Sequence, residues 1–208
     1  MLVTDDEEHK EGRRVFTKPL HGNRMHAYDD LIEELTHSVI KKQLKKNKIV
    51  NMREFFAQLT MQIIFKSIFG LTKEEAIAEL SKPVIALRKM NRKYGALGTL
   101  LPQTQINLGP LTPYAKFIKL KKQIHDILDR QYDNSVKDGL DILSLAQGEY
   151  ATKCPMAKKA KIRDQMMTFL FAGQNTTTQA LLWIVYWMSK EGEELNKLQE
   201  CVASEQDI

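Results

Sequence analysis

Only two cysteines occur in the 208-residue chain, Cys154 and Cys201, far apart and without metal-ligand spacing around them. That excludes a disulfide framework and a cysteine-rich zinc module, and leaves reduced thiols as the plain expectation. Charge of either sign is also scarce in excess. The 31 basic and 26 acidic residues leave a net +5, too balanced for a nucleic-acid binder without a concentrated patch. No apolar segment resembling a signal peptide lies in the opening MLVTDDEEHKEGRR, and a cytoplasmic setting is expected. A Gly-rich phosphate loop, a His-Glu-x-x-His zinc pattern and a Gly-x-Ser-x-Gly elbow are all missing. Nor is there an internal repeat or a β-rich region.

What is present is helix, so the expected class is mainly α, as one domain over residues 1–208. A first helix is predicted from Glu7 to about Thr17, before Pro19. From Arg24, apolar Met25, Tyr28, Leu31, Leu35 and Val39 recur at helical spacing up to the lysine-rich KKQLKKNK. Asn51 can cap the next helix, with Glu54 three residues on, and Gly70 can close it; Phe55, Leu59, Ile63 and Phe69 form its apolar face. Another helix is expected from near Thr72 to about Arg92, kinked or broken at Pro83. The stretch from Tyr94 to Pro110, rich in glycine and proline, reads as a long irregular loop. Helix resumes near Tyr114 and reaches about Asn134. A short DGLDILSLA segment follows, then a basic linker from Cys154 to Lys161, a long helix from Ile162 to Ser189, and an amphipathic end from Glu193 to Val202.

The long helix poses the main question. No charged residue lies between Met166 and Met188, which is long enough to span a bilayer. Yet the seven residues from Gly173 to Gln179 are all glycine, amide or hydroxyl. In lipid those groups would need partners from other helices, so a buried central helix of a soluble protein is the better expectation, with no membrane span. Gly173 gives room near the backbone, and the Thr176 hydroxyl can bond the backbone or a ligand. His9 and Arg13, four apart, share a helix face and could grip one anionic group; a solvated basic turn would look the same.

IRDQMMTFLFAGQNTTTQALLW resembles the central helix of the cytochrome P-450 haem-thiolate monooxygenases, whose pattern is Ala/Gly-Gly-x-acid-Thr-Thr/Ser. EEHKEGRRVFTKPLHGNRMHAYDDLI resembles that family's early helix and the segment after it, especially in a soluble bacterial branch. FFAQLTMQIIFKSIFG, LGPLTPYAKFIKLKKQIHDIL, DILSLA and SKEGEELNKLQE follow in the family's order. The resemblance implies a partial P-450 fold, from the early propionate-binding helix to just past the oxygen-binding helix. It would lack the N-terminal sheet region and the C-terminal haem-ligand half.

The same resemblance implies roles for particular residues. His9 and Arg13 match haem-propionate positions, and Ala172 and Gly173 match the place where the helix passes over haem. Thr176 matches the threonine that hydrogen-bonds dioxygen and helps deliver protons. Thr168, Phe171 and Ala172 would face substrate, and the stretch from Tyr94 to Pro110 would roof the pocket. Asn175 stands where the family carries an acid, so it can hold water but cannot donate a proton as an acid. The axial cysteine is not expected in this chain: Tyr150 and Lys197 stand four before Cys154 and Cys201, where the family's cysteine loop needs glycine. The family's Glu-x-x-Arg helix is missing too. An internal fragment or truncated product is therefore expected, and haem b only in the complete protein. Implied partners are a ferredoxin- or flavin-type electron donor, with Lys10 and Arg14 as docking candidates, dioxygen and an apolar small molecule. The alternative is a catalytically inactive truncated relative, or a helical interaction protein without haem.

Overall fold

The computed structural model describes residues 6–17, 20, 26, 28–46, 49–100, 109, 112–135, 141–149 and 154–205. Among these, every regular element is helical: α1 (Asp6–Thr17), α2 (Asp29–Lys46), α3 (Met52–Phe69), α4 (Glu74–Leu100), α5 (Pro113–Asn134), α6 (Ile142–Glu149), α7 (Pro155–Lys190) and α8 (Gly192–Glu205). The mainly-α expectation holds.

Helix α3 is punctuated as its sequence dictates. Asn51 accepts hydrogen bonds from the Arg53 and Glu54 backbone N–H groups at 3.1 and 3.3 Å, satisfying donors that a helix start leaves open. At the other end Gly70 takes the left-handed conformation, φ 62° and ψ 24°, and its N–H reaches back to Lys66 O. The glycine also has a packing reason: an added Cβ would stand 2.9 Å from the Asp141 carboxyl. That carboxylate is engaged, since Asp141 accepts from the Ser144 N–H at 2.9 Å and from its hydroxyl at 2.7 Å, capping α6. Gly70→Ala should therefore cost about 1–3 kcal/mol, from the αL penalty plus displacement of that cap. A lower melting temperature in thermal denaturation, with no loss at Gly148→Ala in open space, would bear this out.

Two apolar cores share α3 and α7. The larger collects Val15 and Phe16 of α1, Met61 to Phe69 of α3, Leu80 and Val84 of α4, Ile124 and Leu128 of α5, Ile142 of α6, and Ile162, Met166 and Leu170 of α7. The smaller joins Leu35 and Val39 of α2 to Phe55, Phe56 and Leu59 of α3, with Leu181, Leu182 and Val185 of α7 against it. So α7 uses its first half in one core and its second half in the other.

Two expectations are corrected. The region from Tyr94 is not irregular throughout, because α4 runs on to Leu100; two glycines at about 1 kcal/mol each do not stop a helix already propagating. Residues 101–108 lie outside the described residues. The basic linker from Cys154 to Lys161 is instead the start of α7, with Cys154 at the N-cap position and Pro155 in the first turn. MAKKAK is a run of good helix formers, and its Lys159 meets Asp133 across the seam to α5. Helix α2 is described from Asp29, where two aspartates suit the positive end of the helix dipole; the expected beginning of its apolar pattern near Arg24 lies outside the described residues.

The α5–α7 seam is a ladder of matched spacings. Asp129 and Asp133 stand four apart on α5, opposite Arg163 and Lys159 four apart on α7. Arg163 Nη1 reaches Asp129 Oδ2 at 3.0 Å and Lys159 Nζ reaches Asp133 Oδ2 at 2.6 Å. His125 lies in the same seam. Burial first, then the Arg163 and Lys121 cations, hold its pKa below the ordinary 6.5, against upward pulls from Asp164 and Asp129. The unfolded chain takes up a proton near that ordinary value while the folded chain resists it. Its contribution to stability is thus full above pH about 6.5 and fades as pH falls below it. Melting temperature should decline on acidification through that window, and His125→Gln should flatten the decline.

Candidate functional site

Helix α7 is two-faced. Gln165, Met166, Leu170, Gln174 and Thr178 are buried, whereas Ala172, Asn175, Thr176, Thr177 and Ala180 are exposed. Trp183 and Trp187 continue the exposed side. The steps Ala172, Thr176, Ala180, Trp183, Trp187 are four, four, three and four residues, which is one strip of a helix surface.

The polar centre of α7 therefore has two destinations. Gln174 Nε2 donates across to Ala57 O of α3 at 3.1 Å, and the Thr178 and Thr60 hydroxyls meet at 2.9 Å. Each hydroxyl also lies within reach of its own helix's carbonyl, Gln174 O at 2.7 Å and Phe56 O at 2.8 Å. One proton can serve the crossing and the other a carbonyl. This belt sits between the two apolar cores. Gln174 Oε1 is buried without a partner among the described residues, so the belt sets the register of α7 on α3 more than it adds stability. Thr176, by contrast, faces outward and donates only to its own helix, to Ala172 O at 2.8 Å.

Gly173 lies between the two faces. An added Cβ there would meet Ile64 Cδ1 at 3.5 Å, an ordinary contact. Thr168 is half-buried and donates to Asp164 O at 3.1 Å, and Phe171 rests against the larger core. On α1, Arg13 is exposed and His9 half-buried. The rings of Phe16 and Phe169 meet edge to face at 5.2 Å. His9, Arg13 and Phe16 share a face of α1 by their spacing, as Phe169, Gly173 and Thr176 share one of α7. That single aromatic contact brings α1 against α7 about one turn from Arg13 and one turn from Gly173.

One cavity lies elsewhere. It is an open groove of about 760 Å³ between α4 and α5, lined by residues such as Lys82, Pro83 and Gln123, with no residue from α1 or α7. The Arg130–Glu79 ion pair at 2.5 Å is part of its lining. No group of three or more His, Cys, Asp or Glu able to hold a metal occurs among the described residues. No single helix described is long and apolar enough to cross a membrane. Helices α3 and α4 (to Tyr94) pass that test only together, bent by 116°.

The family model for cytochrome P-450 matches residues 1–204 of the chain. The chain belongs to the cytochrome P-450 family. Among curated relatives, putative cytochrome P-450 135A1 of Mycobacterium tuberculosis is 25% identical over 198 residues, covering 93% of this chain and 43% of the relative. Putative cytochrome P-450 138 of Mycobacterium bovis is 26% identical over 214 residues, 96% of this chain and 45% of the relative. Cytochrome P-450 736A117 of Prunus mume is 26% identical over 203 residues, 86% of this chain and 38% of the relative. The chain thus spans less than half the length of these curated relatives. No solved structure matches it.

A P-450 is a haem monooxygenase in general, and the helical array described is consistent with part of that fold. Sequence reasoning missed Gln174, Thr178 and Thr60. The signal was available: Gln174 and Thr178 continue the buried row of Met166 and Leu170 at steps of four, so they were bound to face inward with it.

Proposed function

We propose that this chain forms the dioxygen side and one propionate-binding edge of a haem b pocket, in a monooxygenase that hydroxylates an apolar small molecule. The observation that carries this is the open stance of Ala172 and Thr176 on α7, a helix that meets the one bearing His9 and Arg13 through Phe169 and Phe16. Haem, when bound, supplies the redox chemistry that activates dioxygen. Ala172 leaves space beside the helix. The Arg13 guanidinium and the His9 ring can hold carboxylates. Thr176 Oγ1 can turn from Ala172 O to donate outward, and Asn175 can hold a water beside it without acting as an acid. Thr168 and Phe171 border the substrate side. Exposed Lys10 and Arg14 offer a basic surface to a ferredoxin- or flavin-type donor, in the cytoplasm.

The residues fit haem on this side only. Cys154 begins α7, about 33 Å along the axis from Thr176, so it cannot face an iron placed over Ala172. Cys201 is exposed on α8 in a sequence unlike the family's cysteine loop. The thiolate ligand belongs to the length by which the relatives exceed this chain. The same observation favours the second reading, a haem-free inactive relative. Haem added to the chain, reduced and exposed to carbon monoxide, should give no thiolate-type band. Such a band would place the ligand at Cys154 or Cys201 and overturn the assignment. Coding sequence continuous with residue 208 should carry the Glu-x-x-Arg and cysteine-loop elements; a stop codon there would favour the inactive relative.

A further inference from the structure

We propose that Thr60, Thr178 and Gln174 are positioning residues, which fix the rotation of α7 about its own axis and so aim Ala172 and Thr176 away from α3. The three are 3%, 2% and 1% exposed, and they meet inside the α3–α7 interface. The inference rests on the haem-pocket reading for what the aimed residues do, and not for how they are aimed.

Thr176 stands two residues after Gln174 and two before Thr178. At 100° per residue that places it about 160° around the helix from both. Whatever pins those two side chains to α3 therefore sets where Thr176 points, and Ala172, one turn earlier, points with it. The pins are directional. The Thr178 and Thr60 hydroxyls meet at 2.9 Å, and Gln174 Nε2 donates to Ala57 O at 3.1 Å. Threonine is stiff at its first side-chain torsion, so the hydroxyl pair leaves little slack; the longer glutamine leaves more. Helix α3 is itself held at both ends, by the Asn51 cap and by Gln131 Nε2 of α5, which donates to Phe69 O at 2.8 Å. Both partners of every one of these bonds are described residues, so the aim holds whatever lies over the outward face.

A rotation of α7 by about 15° would carry a side-chain tip about 5 Å from the axis through roughly 1.3 Å. A displacement of about 1 Å at a reacting group can cost about 10²-fold in rate. The same rotation would drag the Thr178 hydroxyl sideways by a similar distance, tilting and lengthening a contact whose strength depends on both. Apolar packing is non-directional and resists such a turn less. Stability does not require the polar groups. They continue the buried row of Met166 and Leu170, where apolar partners of the same shape would be nearly neutral or stabilising. What the belt adds is direction.

Thr60→Val with Thr178→Val removes both hydroxyls and keeps their shape. In the haem-free chain this pair should leave the melting temperature within about 3 °C of the parent, while the Thr176 methyl resonance moves or splits. Thr60→Ser with Thr178→Ser, which restores the hydroxyls, should return that resonance to a single line at the parent position. Ile162→Val, which loosens the larger core without touching the belt, should leave it alone. In the complete haem-loaded enzyme the Val pair should lower product per electron pair at least about tenfold at unchanged haem content, and the Ser pair should recover it. An unmoved Thr176 resonance or a steep fall in melting temperature in the Val pair would overturn the positioning. So would an equal displacement in the Ser pair, or full yield in the Val pair where Thr176→Ala lowers it. If Thr176→Ala itself left the yield unchanged, the haem-pocket reading would fail, and the resonance alone would decide the role of the belt.

Discussion

Phe65→Ala should destabilise the chain by about 3–5 kcal/mol, the largest effect expected of any single substitution. Phe65 is 0% exposed and sits in the larger core beside Phe69, with ring centroids 6.1 Å apart. Truncation there removes the transfer energy of a ring and leaves a cavity that rigid neighbours on α3, α4 and α7 cannot close. Domains of ordinary stability hold only about 5–15 kcal/mol in total, so the loss would consume much of it. Urea unfolding followed by circular dichroism should show a midpoint lowered by about 2 M. Ile49→Ala, at 88% exposure, is the control and should stay within about 0.5 kcal/mol of the parent. An unchanged midpoint for Phe65→Ala would mean that the core described here is not the one that holds the chain folded.

The second large effect concerns activity. In the complete, haem-loaded enzyme that we propose, Thr176→Ala should lower product formed per electron pair consumed by about 10² or more, the usual scale for a positioned proton donor. Its effect on folding should be slight, because the hydroxyl is exposed and returns only to Ala172 O and, at 3.3 Å, to Gly173 O. Asn175→Asp should act in the opposite direction by restoring a titratable group beside it, again with little cost in stability at an exposed site. The pair separates chemistry from packing: both variants should melt near the parent temperature while product yield moves down in one and up in the other. Equal yields in all three proteins would remove Thr176 and Asn175 from the proposed proton path.

Local signals decided which parts of the fold could be read in advance. Asn51 and Gly70 marked the ends of α3 because capping is a property of a few neighbouring residues. Helix α4 past Tyr94 and the start of α7 were harder. Glycines at Gly95 and Gly98 and a proline at Pro155 look like loop punctuation, yet a helix propagates through the first two, and the proline suits a first turn. The candidate site was legible in part. Its residue types stood out in FLFAGQNTTTQAL, but that Gln174 and Thr178 turn inward while Asn175 and Thr176 turn outward depends on the direction of α3. Tertiary packing fixed that, and the sequence announces it only through the four-residue steps of the buried row.

Both tryptophans of the chain stand on the open strip of α7, and neither belongs to a core cluster. Intrinsic fluorescence of this protein is therefore a property of one face and hardly of the fold. Emission should already lie toward the red in the native state and shift little on unfolding, so it would be a poor witness to denaturation. For the same reason it should respond sharply, by quenching or a blue shift, to whatever comes to rest on that strip.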